Sequence, residues 1–204
     1  MERRNFLKFV FAGLLTMIAG EFQVNVLVLN KGANDYLTTI FLYLPFFVIM
    51  YLFGVFCDRK FSPKRADLFC YFFGGLFGLI GYEWFLIGNA PWAGTGAIQT
   101  GMFAWWAAIP IISRIFTTPV DPLVKSVRRR VFIGLLIFSL VSTAIVAISP
   151  TDLKPIVAAF LITIGFFAIN FQFIPYLTRN GSSKLFIRAF MWFLVLAAVA
   201  NLFI

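Results

Sequence analysis

The sequence predicts an all-α integral membrane protein, a seven-transmembrane-helix bundle with a cytoplasmic N-terminus and an extracytoplasmic C-terminus. Three observations predict it. With 61% hydrophobic and only 12% charged residues and a mean hydropathy of +0.93, the chain has too little polar surface for a soluble domain. A length of 204 residues accommodates about seven or eight spans of roughly 20 residues, with nothing left over for a soluble module. The basic residues, finally, gather in alternate connections.

The expected helices cover about 5–29, 36–57, 67–88, 97–116, 131–149, 155–177 and 184–204, each bounded by charges or turn formers, in one polytopic domain. The first opens as "MERRNFLKFVFAGLLTMIAG", which has the form of a secretory signal. Its apolar run continues through "VNVLVLN", so it reads as a span. The second closes at "DRK", and the third begins after "FSPKRAD" and carries "FGGLFGLIG". The turn-rich "GNAPWAGTG" separates the third from the fourth, "VKSVRRR" precedes the fifth, and short connections around Asp152 and Asn180 set off the sixth and seventh. Continuous apolar runs of this length satisfy their backbone only as helices; a barrel would show alternating segments. Pro110 and Pro175 are expected to kink the fourth and sixth spans.

Orientation follows from Lys and Arg. With the N-terminus inside, every one of them except Lys31 and Lys154 falls on the cytoplasmic side; a missed or invented helix would scramble all later loops. The pattern fits a bacterial inner membrane. It also accounts for the net charge of +9, because cations beside helix ends meet anionic headgroups, and no nucleic-acid partner is expected. The ending "AAVANLFI" places Ile204 at the outer surface.

The absence of histidine removes His-based triads and general bases. Cys57 and Cys70, on a cytoplasmic loop, supply neither a disulfide nor a usual metal-ligand set, so no cofactor or metal is expected. No G-x-S-x-G elbow, P-loop or dinucleotide fingerprint is present. Chemistry therefore falls to ionisable groups at membrane depth, where they are costly and point to function.

Glu21 lies two thirds of the way up the first helix, with Asn25 one turn further on the same face. Glu83 lies one turn below the outer end of the third. Both carboxyls thus belong to the extracytoplasmic third, and they are the candidate catalytic pair. Around them Asn25, Tyr82, Trp84, Gln99, Trp105, Trp106 and Asn170 are the candidate substrate contacts. Trp84 and Trp92 suit an interfacial belt, whereas Trp105 and Trp106 lie too deep for one. The segment "GNAPWAGTGAIQTG" has the composition of a lid or an outer loop. Gly74, Gly78 and Gly81 share a helix face that admits close approach of another helix, including one from a second copy in an oligomer. Regular α-helical geometry turns Glu83 roughly 160–200° away from that face.

Two functional readings follow, with a third beside them. One is an enzyme acting on a lipophilic substrate, an isoprenoid or a lipid, through Glu21 and Glu83 as acid and base. Another is a small proton-coupled transporter or channel of 3+1+3 layout, in which helices one to three and five to seven share orientation without sequence identity. The third is an accessory subunit of a membrane complex. Membrane lipids and a lipophilic small molecule are the expected partners.

Overall fold

The computed structural model describes residues 3–30, 32–88 and 96–201. Lys31, residues 89–95 of the candidate lid, Trp92 among them, and Ile204 lie outside the described residues, while the lid segment from Gly96 onward is the first turns of a helix. The described residues are helical, without strands, and form seven helical rods. The first is α1 (Arg3–Phe22), which passes into a π-helical stretch, Gln23–Val28. Next come α2 (Ala33–Leu42) and α3 (Leu44–Lys60), then α4 (Pro63–Leu76), continued by a second π-helical stretch, Phe77–Leu86. After these follow α5 (Gly96–Thr117), α6 (Pro122–Ile148), α7 (Lys154–Gln172), α8 (Ile174–Thr178) and α9 (Lys184–Ala200). Among the described residues, five stretches are long and apolar enough to cross a membrane: Asn5–Val28, Ile40–Lys60, Pro63–Leu86, Pro122–Ile148 and Lys154–Thr178.

Prolines set the breaks. Pro45 and Pro175 carry no N–H for the carbonyl four residues back, and the helix is interrupted two residues before each, at Tyr43 and Phe173. Pro110 instead sits inside an unbroken α5. The fifth expected span starts earlier than its apolar run: α6 begins at Pro122, capped by Asp121, whose side chain accepts from the Val124 N–H at 2.7 Å. The "VKSVRRR" run is therefore helical, because an N-cap followed by Pro at the first position starts a helix whatever the polarity of its first turns.

At the centre stands α5, where every residue from Ala104 to Ser113 is buried. It packs against α1, α4, α7 and α9. Phe46, Phe47, Trp105 and Trp106 anchor the core around one half of it, and Tyr71, Ile111, Ile112 and Phe173 the core around the other. Polarity is inverted outside. Phe11, Phe132, Leu140, Ile156 and Phe193 are all more than half exposed, an apolar surface that hydrocarbon covers and water does not.

The glycines of α4 and its π-helical continuation make close contacts within the chain. A methyl group on Gly74 would come within 2.6 Å of Pro110, and one on Gly78 would strike the Trp106 indole, so the two glycines seat α4 and the start of its π-helical continuation on α5; Gly81 faces its own Phe77. The expectation that Glu83 turns away from these glycines is corrected. Beyond Leu76 the helix widens to π geometry, whose i→i+5 bonding brings residue i+5 back over residue i, whereas five residues of α-helix turn through roughly 140° from it. Gly78 and Glu83 consequently meet the same residue, Trp106.

Gly78→Val should therefore lower stability by about 1–3 kcal/mol through overpacking against the indole. Gly134, whose added Cβ would touch only Gln172 at 4.0 Å, should tolerate Gly134→Ala with a gain of about 0.5–1 kcal/mol. Unfolding of the two purified variants in detergent, compared with the parent, checks both.

Candidate functional site: a carboxyl cavity and a buried ion network

Both glutamates lie on one cavity of about 400 Å³, lined also by Asn25, Tyr43, Met102, Trp105 and Phe166. The carboxyl of Glu21 is held at both oxygens. Its Oε2 accepts from Asn25 Nδ2 at 2.6 Å, and its Oε1 accepts from the Tyr43 hydroxyl at 3.1 Å. Asn25 Nδ2 also donates to the Glu21 carbonyl at 3.2 Å, across the junction between α1 and its π-helical continuation. Glu83, 4% exposed, accepts at Oε1 from the Trp106 indole N–H at 3.0 Å. The rings of Tyr43 and Trp106 meet edge to face, 5.4 Å apart, so the two hydrogen-bond donors form one aromatic bridge between the carboxyls.

Local sequence explains this placement. Tyr43 occupies the helix break that Pro45 imposes, one π-helical stretch begins just after Glu21, and the other contains Glu83. Such wide turns are rare and gather at functional sites. Trp105 stacks on Phe166, 4.2 Å between centroids and 12° between planes, and forms an aromatic wall of the cavity.

Among the other expected contacts, Trp106 touches Glu83 without lining the cavity. Tyr82 is buried and packs on Tyr43 and Trp106. Trp84 stacks on Phe85, and Gln99 sits half-buried on the first turn of α5; neither lines the cavity. Asn170 is engaged elsewhere: its Oδ1 accepts from the Tyr71 hydroxyl at 2.8 Å, and its Nδ2 donates to the Ala104 and Phe166 carbonyls at 2.9 and 2.7 Å. It ties α4, α5 and α7 together.

Sequence reasoning missed Tyr43, whose only signal is a phenol two residues before a proline in "TTIFLYLPFF". It also missed a second polar centre at the far end of α5. Arg114 Nε donates to Asp67 Oδ1 at 2.8 Å, while Nη2 and Nη1 donate to the two oxygens of Asp58 at 2.7 and 3.2 Å. Arg179 Nη1 donates to Asp67 Oδ2 at 2.6 Å, and its guanidinium lies over the Tyr176 ring, 3.6 Å from the centroid. Asp67 is 2% exposed and Asp58 about half exposed. Gly54 leaves room for the guanidinium of Arg114, since a methyl group there would lie 2.9 Å from its Nη1. Reading these four charges as loop and topology signals hid the network, because an acid next to several basic residues looks like ordinary interfacial charge. A second cavity, of about 390 Å³, opens beside it, lined by Phe9, Tyr51, Asp58, Arg59, Arg114 and Thr117 among others.

No protein-family model matches the chain, and neither a curated protein nor a solved structure matches it significantly.

Removing the buried member of the network should cost far more than removing the exposed one. Asp67→Asn leaves two guanidinium groups short of a buried counter-charge and is expected to cost about 3–5 kcal/mol. Asp58→Asn should cost about 1 kcal/mol or less. Thermal unfolding of both variants in detergent tests the order.

Proposed function

We propose that this chain is a seven-span transporter with a cytoplasmic N-terminus, in which Glu21 and Glu83 bind protons in exchange for a small lipophilic cation. The observation that carries the reading is the stacking of two cavities along the same helices. From α1, Glu21 lines one and Phe9 the other; from α5, Trp105 lines one and Arg114 the other; Tyr43 and Tyr51 do the same at the start of and within α3. Between them Met17, Phe46, Phe47 and Met50 are all at most 1% exposed and belong to one packed cluster. A chamber on each side of an apolar barrier is what alternating access needs. An acid/base enzyme for a lipophilic substrate would use the carboxyl cavity and leave the second without a role.

The lining supports the ligand class. Two carboxyls offer acceptors, the Tyr43 hydroxyl is already directed at Glu21, and Trp105 and Phe166 present aromatic surface, an environment that favours a cation over an anion. About 400 Å³ suits a small ligand. The distribution of Lys and Arg supports the orientation, with the carboxyl cavity in the extracytoplasmic half and the arginine network at the cytoplasmic end.

Liposomes containing the purified protein, given an acidic lumen and an external, membrane-impermeant quaternary ammonium probe, should accumulate the probe. Glu21→Gln and Glu83→Gln should each reduce that flux about tenfold or more, equivalent to roughly 1.4 kcal/mol of lost interaction. Flux no greater than in protein-free liposomes, with the protein shown to be folded, would overturn the reading. Tyr43→Phe removes one donor to Glu21 and should weaken probe binding several-fold, on the scale of about 1 kcal/mol for such a bond, measurable by quenching of tryptophan fluorescence.

A further inference from the structure

A third cavity lies on the outside of the bundle, between α1 and α6, with a volume of about 580 Å³. Lys8 and Arg128 stand at one end; Phe11 and Leu15 from α1 and Phe132 and Leu136 from α6 continue from them. On both helices the cation comes first and the apolar residues follow at i+3, i+4, i+7 or i+8, so the two faces run in the same direction. From Lys8 to Thr16 and from Arg128 to Ser139 the groove extends over roughly 12–16 Å at 1.5 Å per residue, close to half of a hydrocarbon layer of about 30 Å. The four large apolar side chains are exposed.

Charge is as lopsided as shape. Among the described residues no Asp or Glu lines the groove, and neither Lys8 nor Arg128 has an acidic partner, in contrast to Arg114 and Arg179. Arg128 is held in place by donating from Nε to the Ile115 carbonyl at 2.9 Å and from Nη2 to those of Phe116 and Thr118 at 3.1 and 2.6 Å. These bonds fix the guanidinium at the end of α5 and leave Nη1 for another acceptor.

We propose that this groove is a binding site for one anionic phospholipid, its phosphate between Lys8 and Arg128 and an acyl chain along Phe11, Leu15, Phe132 and Leu136. The inference rests on the membrane placement of the chain and is independent of transport. A leaflet-deep apolar groove with two cations at its interfacial end, neither paired with an acid among the described residues, matches that ligand in length, polarity and charge.

Native mass spectrometry of the full chain, released from mixed micelles of phosphatidylglycerol and phosphatidylcholine, tests it. The parent should retain phosphatidylglycerol in preference, Lys8→Gln should cut that preference about fivefold, and Leu136→Trp should abolish retention by filling the groove. Lys125→Gln, which removes an exposed cation outside the groove, should change nothing. Equal retention of the two lipids, or a loss with Lys125→Gln as large as with Lys8→Gln, would overturn the proposal.

Discussion

The full enclosure of α5 is the constraint on which the rest of the structure depends. A helix buried on every side from Ala104 to Ser113 has no water for its polar groups, so they depend on neighbours; the Ser113 hydroxyl is left without a hydrogen-bond partner among the described residues. Glu83 accepts the Trp106 N–H, Asn170 donates to the Ala104 carbonyl, and Asp67 and Asp58 neutralise Arg114. Each of these partners comes from a different turn of the surrounding helices. Together they fix the depth and rotation of α5, and with it the positions of both cavities.

Glycine and π geometry make that enclosure fit. Gly74 brings α4 onto Pro110, Gly78 in the π-helical stretch meets Trp106, and the wide turn of that stretch delivers Glu83 to the same indole. One face of the helix thus packs first and presents a carboxyl next. Helix breaks contribute in the same way: without the interruption before Pro45, Tyr43 would continue a regular helix, and its hydroxyl would lose the position from which it reaches Glu21.

Much of the fold is legible in the sequence, because apolar length and charge alternation are local properties. The rods follow the apolar runs, and the start of α6 departs from them only where Asp121 and Pro122 override polarity. The two carboxyls are legible as well, since an acid inside an apolar run stands out. Tyr43 and Asp67 are not: a phenol in an aromatic-rich chain and an acid among lysines and arginines look ordinary until their partners, 22 and 47 residues away, are known.

By itself the sequence determined that this chain is helical, rich in membrane-length apolar runs and marked by Glu21 and Glu83, because hydropathy and spacing are written along one dimension. Tertiary structure alone decided that the two glutamates share a cavity, that Gly74 and Gly78 pack on α5, and that Arg114 joins Asp58 to Asp67. The physical reason is the period of the helix. A switch from α to π bonding within Phe77–Leu86 re-aims every later side chain, and long-range partners become visible only once the helices are packed.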